Sequence, residues 1–243
     1  MRTLSQHAWK RSYGYSLARA ARSLSGHARF GEPEYQLLPQ WLSPGDVALD
    51  AGANLGFYTF RIAGLVGGSG TVVACEPQRP LARRLKFSSS ILRLSQVVIA
   101  PVALAANSGD LSFALPTTVD GEIDDGQAHM ASLDEDDCFE ASATTLDELW
   151  DSLGLKRLHF AKIDVEGMEM DVLRGGLKTI RDNKPLILCE SQDIHASRYG
   201  YTVRDVFDLL RDLGYDAHVL QHNSLTRLSS PDEDFVNYIF LPQ

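Results

Sequence analysis

Two acidic residues and two glycines stand at a spacing that could hold a nucleoside. The segment Asp50-Ala51-Gly52-Ala53-Asn54-Leu55-Gly56 follows a short apolar run and precedes a stretch of helical composition. Gly52 lets the backbone pass close to a ligand, and Gly56 allows tight approach where the next helix begins. Backbone N–H groups at that helix start favour a carboxylate or a phosphate. The spacing Asp-x-Gly-x-x-x-Gly is not the Gly-x-Gly-x-x-Gly that lays a pyrophosphate against the turn. A carboxylate at the strand end repels a pyrophosphate but pairs with an ammonium group, and S-adenosylmethionine carries an ammonium and a sulfonium. Asp50 therefore favours the methyl donor over NAD. Glu76 ends the next apolar run, 20 residues after Gly56, where a carboxylate can accept hydrogen bonds from both ribose hydroxyls. Pro77 fixes the exit from that strand.

A second constellation is Lys162-Ile163-Asp164-Val165-Glu166-Gly167-Met168-Glu169, with Glu190 ending a later apolar run and His195 shortly beyond it. Strand alternation puts Lys162 and Asp164 on one face. Methyl transfer to a hydroxyl needs an in-line nucleophile that also loses a proton. Asp164 and Glu166 are the first candidates for general base or orienting group, with His195 as a further one and His129 as a residue that could swing in. Each has a plainer reading. Glu166 could bind N–H groups at the next helix start, Asp164 could hold the cofactor's methionine end, and His195 could be a surface residue. Asp164, Glu166 and Glu190 also offer hard oxygen ligands to a divalent metal, but nothing in their spacing requires one. Lys162 reads as partly buried and paired with a carboxylate, and Glu190 could be its partner.

These residues must be positioned by alternating strands and helices. Apolar runs at 45–50, 71–75, 97–100, 159–164 and 185–190 read as buried strands, and 57–66, 79–94, 145–153, 168–183 and 202–213 as helices, with glycines 175 and 176 weakening the fourth of these. Residues 215–221 and 235–241 make a closing pair of strands. The expected fold is α/β and Rossmann-like: a doubly wound, mostly parallel sheet of about seven strands with helices on both faces. Between 108 and 143 the pattern breaks into one hairpin strand at 110–115 and an acidic loop at 120–140, a candidate lid or a solvated loop. Residues 1–40 form a basic arm, with Arg2, Lys10, Arg11, Arg19, Arg22 and Arg29 all ahead of the first acid, Glu32. Trp9, Tyr13, Leu17, Ala20 and Leu24 recur at helical spacing, which predicts a docked helix or lid. Residues 41–243 form the main domain.

A net charge of −9 and a pI near 5.2 disfavour nucleic acid and anionic membranes as partners. Cys75, Cys138 and Cys189 are odd in number and widely spaced, so they read as unbridged. With no run of about 20 apolar residues and no secretory signal, the expected compartment is the cytoplasm. A basic arm beside an acidic insertion suits pairing of two copies as a homodimer.

The sequence resembles the FkbM family of methyltransferases, within the class I S-adenosylmethionine-dependent fold. The matching pieces are the Asp50–Gly56 loop, Glu76-Pro77, the segment beginning Thr145-Leu146-Asp147, the element Lys162 to Glu169, and the strand ending in Glu190. The resemblance implies a seven-stranded sheet with its last strand antiparallel and methyl transfer to a hydroxyl of a small molecule such as a sugar, a polyketide or another natural product. The expected cofactor set is Asp50, Gly52, Asn54, Gly56, Tyr58, Thr59, Glu76, Pro77 and Asp164. Two rival readings stand beside it. One is a catalytically silent S-adenosylmethionine-binding scaffold; the other is a NAD-dependent oxidoreductase, against which the missing dinucleotide fingerprint speaks. Methylation of RNA or protein is a lesser variant kept open by the basic arm.

Overall fold

The computed structural model describes residues 12–27, 32–114, 138–243 and the backbone of 129–130. The chain divides into two compact units, residues 1–101 and 102–243, each built on buried β-branched and small apolar strands.

In the first unit, helix α1 (Tyr13–Leu24) is capped by the side chain of Ser12. A one-turn helix α2 (Leu38–Trp41) leads into β1 (Val47–Ala51), followed by α3 (Phe57–Val66), β2 (Thr71–Cys75), α4 (Arg79–Ile91) and β3 (Val97–Ala100). The three strands are parallel, with β2 between β1 and β3. Helix α1 packs on α3 and α4, in part through the stripe its apolar spacing suggests: Ala20 joins a core cluster with Phe60 and Leu85, Leu24 leans on that cluster, and the Tyr13 ring meets Phe87 edge-on at 5.0 Å. Tyr13 is exposed and Leu17 half-buried, while Ser16, Ala20 and Ser23 are buried. Small residues let the helix sit close, and the buried Arg84 of α4 donates from Nε to Ser16 Oγ at 2.7 Å. Polar pairing and small-residue contact add to the expected apolar stripe. Trp9 and Arg2, Lys10, Arg11 and Arg29 of the arm lie outside the described residues.

The second unit has β4 (Ala103–Leu104), β5 (Gly109–Ala114), β6 (His129–Met130), β7 (Cys138–Thr144), α5 (Leu146–Ser152), β8 (Phe160–Ile163), α6 (Glu169–Gly175) and α7 (Leu177–Asn183). Then come β9 (Leu186–Glu190), α8 (Asp193–Ala196), α9 (Val203–Asp212), β10 (Tyr215–Gln221), β11 (Ser224–Leu228) and β12 (Asn237–Pro242). β8 and β9 are parallel. β12 lies antiparallel between β9 and β10, and β11 adds antiparallel to the outer edge of β10. The mixed, mostly parallel α/β architecture is the one anticipated.

The strand count is not. Three long-sheet strands in the first unit and five in the second make eight where about seven were expected. The extra strand is β11, joined to β10 by His222 and Asn223, both at positive φ (50° and 62°), as a two-residue hairpin turn that follows the strand twist requires. The region 108–143 also differs from a single strand plus loop. β5 pairs antiparallel with β6 and β7, and β4 runs parallel to β7, giving a four-stranded sheet. Residues 138–140, read as loop, belong to β7, while 115–128 and 131–137 of the insertion lie outside the described residues. Ala103, Phe113, Ala141 and Ala143 of this small sheet pack with Met168, and Val165 and Tyr199 lean on the same cluster. The small sheet thus buttresses the turn that follows β8. The predicted helix 168–183 is two helices, broken at Gly176. At the break the backbone runs so close to the small sheet that a Cβ on Gly175 would collide with the Ala105 carbonyl oxygen.

Candidate active site

In the first unit the loop leaving β1 is folded back against the end of β2. The N–H groups of Gly52 and Ala53 both donate to the carbonyl of Cys75, at 3.0 and 2.9 Å. The loop enters α3 through Gly56, at φ 81°. A Cβ there would run into the Phe60 ring and lie 2.5 Å from Leu85, so glycine is required on both conformational and packing grounds.

Two buried carboxylates face this loop. Asp50 is 2% exposed and accepts a hydrogen bond from the Thr59 hydroxyl. Glu76 is 3% exposed, and its two oxygens accept the N–H groups of Asn54 and Gln78, each at 2.8 Å. Burial, reinforced by the charges of Asp50 and Glu76, pushes the Cys75 thiol far above its ordinary range. Two carboxylates converging on one small buried residue suit a cationic ligand, and each Glu76 oxygen has a second lone pair that a hydroxyl donor can use. The residues present therefore fit a nucleoside that bears an ammonium group. Thr59, fully buried, meets Asp50 directly, so its part is to orient that carboxylate. The Tyr58 hydroxyl donates to Glu32 at 2.6 Å. Pro77, at the mouth of the loop, is half-buried.

In the second unit the chemistry gathers at the carboxyl ends of β8 and β9. Lys162 is 1% exposed, and its Nζ lies 3.4 Å from Asp164, 3.7 Å from Glu190 and 3.5 Å from the Asn237 side-chain oxygen. Three oxygen partners make burial of the ammonium tolerable. After Asp164 the chain turns sharply, with Glu166 at φ 52° and Gly167 at φ 106°. This turn brings Glu166 Oε2 to 3.8 Å from His195 Nε2. His195 sits in the one-turn helix α8, not in an open loop, and its side chain is 18% exposed. Asp164, Glu166, Gly167, Glu169, Glu190, Ser191 and His195 line a cavity of about 10 Å³, room for a single water. Of the residues singled out from sequence, Asp164, Glu166, Glu190 and His195 are brought together here; the side chain of His129 lies outside the described residues.

Several contributors carried no legible signal. Asn237, on β12, reaches Lys162 from 75 residues away. Tyr201, in the turn ahead of α9, bonds to the Gly167 carbonyl and to Glu169. Only a strand register or a loop path reveals such pairings. Gln78 contributes through its backbone N–H, which any residue but proline possesses. No group of three or more His, Cys, Asp or Glu among the described residues is arranged to hold a metal ion, and no described helix is long and apolar enough to cross a membrane.

Comparison with known proteins gives matches over this same region. A family model described as Methyltransferase FkbM domain matches residues 50–217. The AMB antimetabolite synthetase AmbE of Pseudomonas aeruginosa is 30% identical over 220 residues, covering 74% of this chain and 10% of AmbE. The chain thus spans about a tenth of the length of that relative. The hexuronic acid methyltransferase AglP of Haloferax volcanii is 27% identical over 202 residues, covering 83% of this chain and 73% of AglP. Among solved structures, a methyltransferase FkbM from Methylobacillus flagellatus KT is 16% identical, with a TM-score of 0.49 over 94% of this chain and 57% of its own.

Proposed function

From the premise that the chain belongs to the FkbM family of S-adenosylmethionine-dependent methyltransferases, we propose that it methylates a hydroxyl oxygen of a small molecule, a sugar or another hydroxyl-rich natural product. The observation that carries the hydroxyl reading is the Glu166–His195 pair, 3.8 Å apart. A hydroxyl must shed a proton as it attacks, and a carboxylate beside an imidazole is a competent acceptor. Similarity to AglP, a hexuronic acid methyltransferase, supports a sugar as the acceptor class.

S-adenosylmethionine, when bound, supplies a methyl group on a sulfonium that leaves as a neutral thioether. We assign its ribose to Glu76 and its ammonium group to the Asp50 loop, with Gly52, Asn54 and Gly56 shaping the approach and Tyr58, Thr59 and Pro77 supporting it. On the acceptor side, Lys162 offsets the charges of Asp164 and Glu190, so these carboxylates orient the hydroxyl. The proton passes to the Glu166–His195 pair, where Glu166 Oε2 stabilises the imidazolium at Nε2. Residues 1–40 act in this reading as an arm appended to a main domain of residues 41–243. The three unbridged cysteines support a reducing compartment such as the cytoplasm.

The test is transfer of labelled methyl from S-adenosylmethionine to a panel of neutral sugars, uronic acids, amino sugars and polyketide alcohols. Turnover is expected on a hydroxylated member, with His195→Ala and Glu166→Gln lowering kcat about 10²–10⁴-fold while cofactor binding persists. Cofactor binding with no turnover on any hydroxylated acceptor would favour a silent S-adenosylmethionine-binding scaffold instead.

A further inference from the structure

The turn that carries Glu166 is fastened by two side chains that the transfer chemistry does not use. Glu169, 1% exposed on the first turn of α6, accepts the Gly167 N–H on Oε1 at 2.9 Å. Its other oxygen, Oε2, lies 2.8 Å from the Tyr201 hydroxyl, and that hydroxyl lies 2.5 Å from the Gly167 carbonyl oxygen. The Met170 N–H points at the same hydroxyl from 3.5 Å.

The protons can be counted. A phenol has one hydrogen to donate, and two oxygens stand within its reach. If Tyr201 gives its hydrogen to a Glu169 carboxylate, the Gly167 carbonyl faces the phenol oxygen at 2.5 Å with no hydrogen between them, and a buried acceptor goes without a donor. If Tyr201 instead donates to Gly167, the contact with Glu169 needs a hydrogen from Glu169. One arrangement satisfies every atom: Gly167 N–H to Oε1, Oε2–H to Tyr201 Oη, and Tyr201 O–H to the Gly167 carbonyl. We propose that Glu169 is held as a neutral carboxylic acid and that Glu169 and Tyr201 are positioning residues, closing a hydrogen-bonded ring that locks the Glu166–Gly167 turn.

The surroundings agree. The titratable groups facing Glu169 are Tyr201, Cys189 of β9 and Asp164 after β8, with Lys162 and Glu190 acting on Cys189 nearby. Burial is the main influence and pushes the Glu169 carboxyl above the usual carboxylate range; hydrogen bonds from Gly167, from Tyr201 and from the backbone N–H of Glu169 itself oppose it, and the Asp164 charge adds to it. A backbone turn with two residues at positive φ, one of them a glutamate, persists only where its surroundings over-determine it, and this ring supplies that constraint at both the N–H and the carbonyl of Gly167. The proposal leans on the methyltransferase reading only for what the locked Glu166 is aimed at. Its test needs neither acceptor nor cofactor, so the two can fail separately.

The decisive variant is Glu169→Gln. An amide reproduces a neutral acid, its oxygen accepting from Gly167 and its NH₂ donating to Tyr201. A carboxyl whose folded value is raised contributes stability below the unfolded value near 4.5 that is lost as pH rises through the folded value. The amide has no such dependence. Thermal midpoints of the full chain are compared from about pH 5 to about pH 8, on the alkaline side of the unfolded value. Glu169→Gln should match the wild type at the acid end and exceed it at the alkaline end, while Glu169→Leu, which keeps bulk but not the hydrogen bonds, falls below both. Infrared spectra of the wild type near neutral pH should show a protonated-carboxyl stretch that disappears in Glu169→Gln. Tyr201→Phe should speed exchange of the Gly167 amide. A Glu169→Gln midpoint below the wild type at the alkaline end, or parallel profiles with no protonated-carboxyl band, would overturn the proposal.

Discussion

Replacing Gly167 with alanine puts the turn after β8 to a quantitative test. At φ 106° the residue lies outside even the left-handed helical region, and a Cβ there would stand 2.6 Å from Tyr199 Cε2 and 2.8 Å from the His195 carbonyl oxygen. The backbone conformation alone costs an L-residue about 1–2 kcal/mol. Forcing a methyl against a backbone oxygen adds about 1–3 kcal/mol of overpacking, because the carbonyl, unlike a side-chain end, cannot rotate away. The sum is about 2–5 kcal/mol, which for a chain of this size lowers the thermal midpoint by roughly 4–20 °C. Gly200→Ala is the matched control. Gly200 also has positive φ, at 73°, but a methyl added there would meet no heavy atom within 4 Å. That variant should cost about 1 kcal/mol and at most about 4 °C. Scanning calorimetry of both variants isolates the contact contribution as their difference. A Gly167→Ala midpoint no lower than that of Gly200→Ala would refute the reasoning, since it would mean that the His195 carbonyl does not pack against the turn.

In the first unit, Glu76→Gln places an amide NH₂ against one of the two backbone N–H donors, those of Asn54 and Gln78, and removes the charge that the proposed ribose contact would use. Losing hydrogen bonds to a charged group, about 1.5–3 kcal/mol, should weaken S-adenosylmethionine binding roughly ten- to hundredfold by calorimetric titration; an unchanged Kd would remove Glu76 from the cofactor site. Thr59→Val is nearly isosteric but withdraws the hydroxyl that donates to Asp50. Stability should fall by the worth of one hydrogen bond to a charged group, about 1.5–3 kcal/mol, or roughly 3–12 °C in the thermal midpoint, and an unperturbed midpoint would show that Thr59 does not orient this carboxylate.

The parts of the fold legible in the sequence are those where local composition and long-range packing demand the same thing. β1, β2, β8 and β9 are largely apolar because parallel strands are covered on both faces, β3 is apolar though mostly half-buried, and α3 ends where Gly67, at φ 63°, can cap it. Thr202 could be read as a helix start, and it forms a reciprocal capping box with Asp205. β11 escaped because Ser224-Leu225-Thr226-Arg227-Leu228 is an exposed edge strand, and an edge need not be apolar. Helix α1 was legible only in part, for a related reason. Besides Tyr13 against Phe87 and Ala20 beside Leu85, its contact with α4 includes Ser16, which accepts from the buried Arg84, and hydropathy spacing does not register that polar part. The acidic candidates Asp164, Glu166 and Glu190 were visible because carboxylates at strand ends stand out. Their restraints were not, since Asn237 and Tyr201 arrive from distant segments.

Both units restrain a loop with the same device, and the contrast between the two uses bears on protonation. Glu76 and Glu169 are each buried, and each accepts on one oxygen an N–H two residues away, from Gln78 and from Gly167. They differ at the second oxygen. Glu76 meets another N–H, that of Asn54, a group that can only donate, so the pair of donors suits a carboxylate and leaves room for a ligand's hydroxyls. Glu169 meets a phenol that is already committed to a carbonyl, so the missing hydrogen has to come from the carboxyl itself. The first arrangement keeps a charge available for recognition; the second removes one from a rim already holding Asp164, Glu166 and Glu190. Were Glu169 ionised as well, the Lys162 ammonium would be set against all four of these carboxylates. A neutral Glu169 lets the turn be rigid without adding to that repulsion, which is what a site that must hold Glu166 beside His195 requires.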